Sequence, residues 1–312
     1  MQTVVGIGGP QQRTSGFNGY ACEFSPFTGT RLACASGANF GIVGNGRLWI
    51  FPLASPEGPF DQGQPILYYD TQDGLFDCAW SEKNADQIVV GCGDGSVKLF
   101  DTNVQQFPVR AWRDHKREVM SVNWNLVRKD CFLSSSWDAS IKLWTPERGP
   151  MDTFALGEHT QCIYSAVWSP HNPDIFASCA ADQNLKLWDA RRGGKASSVT
   201  SIHAHSNEIL SLDWNKYRQQ VVATSSVDRT IKLWDLRRPD KELSILGGQH
   251  QFAIRRIKFS PHADNLLASV SYDMSMKLHN IDSRTCVLSN DRHTEFVFGL
   301  DFSLFSPKIL AT

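Results

Sequence analysis

Short runs in which apolar and polar residues alternate recur along this chain. Examples are EVMSVNW ending at Trp124, IYSAVW at Trp168, EILSLDW at Trp214 and AIRRIKF at Phe259. A period of two with β-branched residues marks half-buried strands, and no stretch sustains the 3.6-residue stripe of an amphipathic helix. Several runs give way to turn-forming residues, as in WSPH, WNKY and FSPH. The pattern predicts an all-β chain of many short strands.

These strands repeat. The segments SVKLF, IKLW, LKLW, IKLW and MKLH end at Phe100, Trp144, Trp188, Trp234 and His279, which lie 44, 44, 46 and 45 residues apart. GRLWIF places Trp49 at the same point of an earlier copy. An aspartate stands six residues before each later anchor: Asp94, Asp138, Asp182, Asp228 and Asp273. His115, His159, His205, His250 and His293 form a second series, and an aromatic follows each by nine residues. A unit of about 44 residues made of several short strands is the mark of a propeller blade.

The residues also resemble the WD-repeat pattern. Trp188-Asp189 and Trp234-Asp235 carry its dipeptide, with Phe100-Asp101, Trp144-Thr145 and His279-Asn280 as degenerate copies. The resemblance implies a hydrogen-bonded chain of His, strand Ser or Thr, turn Asp and strand Trp inside each blade. The third blade would use His115, Ser134, Asp138 and Trp144. The fourth would use His159, Ser178, Asp182 and Trp188, and the fifth His205, Thr224, Asp228 and Trp234. The second copy departs, with Thr71 and Val90 in the His and Ser places, and the sixth ends in His279, which has no indole N–H. The expected fold is an all-β, seven-bladed WD-repeat β-propeller forming one domain over residues 1–312. Its repeats span about 17–53, 68–102, 112–146, 156–190, 202–236, 247–281 and 291–312. The last is short, so its blade is expected to be incomplete.

Charge and cysteine content narrow the function. Lys plus Arg number 31 and Asp plus Glu 32, too even for a protein held broadly on nucleic acid or an anionic membrane. No apolar run reaches membrane-spanning length, and the N-terminus lacks the basic-then-apolar order of a secretory leader. Eight scattered cysteines without a Cys-x-x-Cys pair read as reduced, mostly buried thiols. The repeated His, Ser and Asp imitate catalytic triads, but a hydrolase needs one activated set, not copies at a fixed period. His203-Ala204-His205 is too sparse for a metal site, and Gly91–Gly95 lacks the Lys and helix of a phosphate loop. No enzyme, cofactor or metal is expected.

The WD resemblance places the segment around each His and the turn around each Asp on one rim, about the mouth of a central channel. There the chain sets Asp73, Glu118, Glu208 and Glu295, with Trp137, Phe252, Tyr272 and Phe296 among them. Carboxylates beside large aromatics suit a peptide with basic side chains and apolar anchors. The candidate peptide-binding residues are Asp73, Glu118, Trp137, Glu208, Tyr272 and Glu295.

A narrower resemblance rests on stretches outside the repeat pattern: Phe17-Asn18-Gly19-Tyr20, FGIVGNGRL from Phe40 to Leu48, EILSLDWNKY ending at Tyr217, Ile257 to His262, Ser271 to Ser275, and His293-Thr294-Glu295-Phe296. In these the chain resembles the receptors for the type-2 peroxisomal targeting signal, the peroxin-7 family. That resemblance implies a cytosolic receptor cycling to the peroxisome. Its cargo would carry an amphipathic N-terminal segment with an Arg near its start and a His or Gln near its end. It further implies a co-receptor, the long form of the type-1 signal receptor, and docking proteins at the peroxisomal membrane. A different class is suggested by Trp188-Asp189-Ala190-Arg191 and Trp234-Asp235-Leu236-Arg237, which resemble the box of WD-repeat substrate receptors of cullin-based ubiquitin ligases.

Overall fold

The computed structural model describes residues 14–41, 44–53, 65–194 and 197–312. Six antiparallel four-stranded sheets follow one another along the chain. Their first strands are Asn18–Phe24, Leu75–Trp80, Val119–Trp124, Ile163–Trp168, Ile209–Trp214 and Ile254–Phe259. Each first strand packs against the first strand of the next sheet, so these six line the inside of a ring and the fourth strands form its outside. Among the described residues the only helical pieces are two single 3₁₀ turns, Asn39–Gly41 and Ala190–Arg192.

This corrects the blade count. The ring holds six four-stranded blades, and the seventh repeat contributes only the pair Asp301–Phe302 and Leu310–Ala311. The repeats lag the blades by one strand. The repeat that begins near residue 68 gives its first strand, Leu67–Thr71, to the outside of blade 1 and its next three to blade 2. The chain between the sixth and seventh repeats completes blade 6, through Thr285–Asn290. The segment after that strand packs Val297, Leu300 and Phe302 against Ala268, Val270 and Leu278 of the same blade.

Side chains on the inner strands lace the ring. The residue before the strand-end aromatic accepts from the backbone N–H of the aromatic in the next repeat: Glu23 from Trp80, Asn123 from Trp168 (2.9 Å) and Asp213 from Phe259 (2.7 Å). Asp301 closes the circle by accepting from Phe24 N–H at 2.9 Å. These N–H groups face the channel with no ladder partner there, and a buried donor left unpaired costs about 1–3 kcal/mol.

The turn between the second and third strands is set by its aspartate. Asp138 Oδ1 accepts from Ser140 N–H at 2.9 Å, and Ala139 between them takes φ 61°. Gln183, Arg229 and Met274 repeat that left-handed conformation. In blade 2 the place belongs to Gly95, φ 82°, where a Cβ would lie 2.5 Å from the His115 carbonyl oxygen, so only glycine fits.

The predicted polar chains are present in blades 3, 4 and 5. In blade 4, Trp188 Nε1 donates to Ser178 Oγ (2.8 Å), Ser178 Oγ meets His159 Nε2 (2.7 Å), and His159 Nδ1 meets Asp182 (2.8 Å). The proton order follows from chemistry. Asp182 only accepts, so Nδ1 carries the ring proton, Nε2 accepts the serine proton, and the serine oxygen receives the indole N–H.

Blade 6 solves the missing indole in another way. His279 Nε2 lies 2.7 Å from Ser269 Oγ, which also meets His250 Nε2 at 2.7 Å. By the same proton order His279 donates in place of Trp. Its Nδ1 is buried without a partner, so a second proton there would have no acceptor. Burial, with the His250 charge adding, holds the His279 imidazole down at about 3. The unfolded chain takes up that proton first, from its ordinary value near 6.5 downward. His279 therefore supports the fold fully above pH 6.5 and loses support as pH falls toward 3, at about 1.4 kcal/mol per pH unit. His279→Trp should remove about 2 kcal/mol of the stability lost between pH 6.5 and 5, read from urea midpoints at the two pH values. Equal acid sensitivity in variant and parent would disprove the assignment.

Candidate functional site

The two kinds of connection that carry the candidate residues share one face. The residue just before each turn Asp donates its N–H to a carbonyl in the link that enters the same blade: Gly93 to Gly74, Trp137 to Glu118, Ala181 to Cys162, Val227 to Glu208 and Tyr272 to Ala253, all within 2.8–3.1 Å. Each inner strand then carries a β-bulge just below this rim. The unpaired residues are Tyr20, Phe76, Met120, Tyr164, Leu210 and Arg255. A bulge re-aims one side chain out of the ladder, and here it turns one residue per blade to the channel mouth. Phe298, five residues after His293 as the others are after their own landmark, holds the seventh place.

This collar was not foreseen from sequence, and its rings join those of the rim. Tyr20 packs edge-on to Phe76 (centroids 5.1 Å apart) and against Phe298 (5.0 Å), and Tyr272 meets both Phe298 (5.5 Å) and Phe296 (5.2 Å). The result is a continuous arc of five rings. Phe252 and Phe296, beside it, are 58% and 52% exposed.

The candidate residues fall into two groups about the mouth. Tyr272 belongs to the five-ring arc, and Asp73 and Glu295 flank it, Asp73 on the link before Phe76 and Glu295 next to Phe296. Glu118, Trp137 and Glu208 form the second group through Tyr164. The Tyr164 ring meets Trp137 edge-on at 6.1 Å, and its hydroxyl donates to Glu208 at 3.1 Å. Arg117 lies over the Trp137 ring at 5.5 Å and 3.5 Å from the Glu118 carboxylate. Trp137 Nε1 is buried with no partner in the free chain.

Below the collar the channel is charged and holds a cavity of about 160 Å³. Arg256 pairs with Asp77 at 2.9 Å, Lys216 with Asp213 at 2.8 Å, and Lys258 with Asp301 at 3.8 Å. Burial, with the Asp301 charge adding, pushes the Glu23 carboxyl well up.

The arginines of the W-D-x-R boxes fold back on their own aspartates, and Arg191 also lies 3.7 Å from Asp174. Arg191 forks onto Asp189 at 2.9 and 2.6 Å, and Arg237 onto Asp235 at 3.0 and 2.7 Å. His205 of the His-Ala-His pair belongs to the blade 5 strut, with Asp228 and Thr224 each at 2.8 Å.

Comparison with known proteins agrees with the repeats. The WD domain, G-beta repeat family matches residues 106–145, and the EIPR1 beta-propeller family matches residues 151–279. A peroxisomal targeting signal 2 receptor of Dictyostelium discoideum is 52% identical over 93% of this chain and 90% of its own length. The chain belongs to the family of peroxisomal targeting signal 2 receptors. The receptor of that name in Mus musculus is 41% identical over 96% of this chain and 92% of its own. The one in Schizosaccharomyces pombe is 32% identical over 94% and 92%. The buried His–Ser–Asp sets sit in blade interiors, where the serine oxygens of blades 3 and 4 are taken by an indole and that of blade 6 by His279.

Proposed function

We propose that this chain is a receptor that takes the type-2 peroxisomal targeting signal at the collared mouth of its channel. The observation that carries this reading is the aromatic arc, half-buried at Phe76, Tyr272 and Phe298, exposed at Phe296 and bordered by carboxylates, in a chain whose relatives bear that receptor's name. An amphipathic segment lays its apolar side on Phe298, Tyr272 and Phe296 and on Trp137. Its basic side chains meet Glu118 and Glu208 on one flank, and Asp73 and Glu295 on the other. Charge-assisted pairs at the edge of a desolvated aromatic patch give both register and affinity. The exposed Phe252 and Phe296 extend the apolar surface outward and suit a co-receptor that covers the bound segment. The receptor then works from the cytosol, delivering cargo to docking proteins at the peroxisomal membrane and returning. Nothing in the geometry of Arg191 and Arg237 or in the relatives favours a ubiquitin-ligase role.

Glu118→Lys tests the site. Glu118 is half-buried at the rim, and among the described residues its side chain pairs with Arg117 alone, so the fold should keep its midpoint of unfolding. Affinity for a type-2 signal peptide should fall by about tenfold or more, since a rim carboxylate is replaced by a like charge. Fluorescence anisotropy of a labelled peptide reads this directly. Unchanged affinity removes Glu118 from the site.

A further inference from the structure

Six of the seven collar positions are aromatic or aliphatic, and the seventh is Arg255. The peptide contacts proposed for the rim leave it unused. Arg255 is 4% exposed and lines the channel cavity. A guanidinium carries five N–H donors. The closest partner of this one is the Leu210 carbonyl, at 3.5 Å from Nη1. Among the described residues no carboxylate stands within ion-pair distance of it. The carboxylate whose field reaches it, Asp77, is already held by Arg256 at 2.9 Å and by the Val122 N–H at 3.0 Å. Around it stand the phenols of Tyr20, Tyr164 and Tyr272. A buried cation with its fork unspent, set in an otherwise apolar ring, costs stability unless something arrives to pair with it.

We propose that Arg255 is the seat of a carboxylate at the centre of the channel mouth. The guanidinium fork offers two parallel N–H donors, the tyrosine hydroxyls can supply a third contact, and the surrounding rings exclude water from the pair. The carboxylate has two sources, an acidic side chain of the polypeptide docked on the rim or a small free carboxylate. The seat rests on the collar geometry alone, and its assignment to the docked polypeptide rests on the receptor reading.

Two measurements on the full chain decide it. Crystals are soaked in bromoacetate, whose bromine marks it by anomalous scattering. The expected result is a carboxylate within hydrogen-bond distance of Arg255 in the parent and none in Arg255→Met. Should that variant fail to fold, Arg255→Lys, which keeps the charge without the fork, should show lower occupancy. No bromine at Arg255 in the parent, or an equal peak in the variant, overturns the seat. The second measurement uses pairs of type-2 signal peptides that differ as Glu or Gln at one variable position between the basic and His/Gln ends. If the docked polypeptide is the source, one position favours Glu by about tenfold, the scale of a charged hydrogen-bonded pair. That preference vanishes in Arg255→Met while the Gln peptide binds as before. Equal binding at every position, with bromoacetate seated, assigns the seat to a small free carboxylate. Bromoacetate seated without any peptide binding sinks the receptor reading and keeps the seat. Peptide binding with an unoccupied Arg255 does the reverse.

Discussion

Replacing Asp77 by alanine should cost about 3–5 kcal/mol, the penalty for stripping one partner from a buried ion pair. Asp77 is buried on the inner strand of blade 2 and meets the Arg256 guanidinium of blade 6 across the channel at 2.9 Å. Its second oxygen accepts the Val122 N–H of blade 3 at 3.0 Å. The substitution therefore leaves a buried positive charge without a counter-ion and an inner-strand N–H without an acceptor. It also leaves Arg256 and the adjacent Arg255 as two uncompensated cations on one strand. The double variant Asp77→Ala with Arg256→Met should be the more stable of the two, because the charge is removed together with its partner. Urea midpoints at pH 7 with matched slopes separate these outcomes. A loss below 1 kcal/mol for Asp77→Ala, or a double variant weaker than the single, would contradict a channel held together by charge.

How far the sequence could carry this structure depends on what leaves a periodic trace. The struts were legible because buried polar groups are rare and must be partnered. A His, a Ser or Thr, an Asp and a Trp recur at the offsets of the WD-repeat pattern, and the resemblance to it implied their chain. The collar was not legible. Tyr20, Phe76, Met120, Tyr164 and Leu210 are apolar residues inside strands, and by composition they look like any core residue. Only the bulge that turns them to the mouth tells them apart, and it leaves no residue-type signature. A signal did exist in the constant offset of five residues after each His landmark, where Arg255 breaks an apolar series. The Asp77–Arg256 pair joins residues 179 apart, a contact that only ring closure creates. The blade count failed because a seventh set of landmarks is present, yet its residues form only the pair Asp301–Phe302 and Leu310–Ala311 and no four-stranded sheet. Among the six predicted rim residues, the grouping of Glu118, Trp137 and Glu208 depends on Tyr164, which alternation alone assigns to the core.

Ser178→Ala should destabilise the chain by about 2–4 kcal/mol, more than a triple replacement of the His, Ser and Trp of its strut. Ser178 Oγ accepts from Trp188 Nε1 at 2.8 Å and meets His159 Nε2 at 2.7 Å, in a blade interior closed to water. Alanine leaves the indole donor and the imidazole acceptor both buried and unpaired, and each carries a full desolvation penalty. Blade 2 shows the alternative the fold accepts. There Thr71, Val90 and Phe100 replace His, Ser and Trp, and Thr71 turns its hydroxyl back to the Asp73 carbonyl at 2.8 Å. Its turn aspartate, Asp94, is kept and still caps Ser96 at 2.9 Å, as Asp182 caps Asn184 at 3.1 Å. Installing that set in blade 4, as His159→Thr with Ser178→Val and Trp188→Phe, deletes donors and acceptors together. Asp182 loses its His159 partner but keeps the Thr160 N–H at 3.1 Å, so the cost is chiefly one of packing. Denaturant midpoints of the single and triple variants give the ordering. A triple variant that loses more than Ser178→Ala would mean that the struts stabilise by net attraction, not by sparing buried groups from standing unpaired.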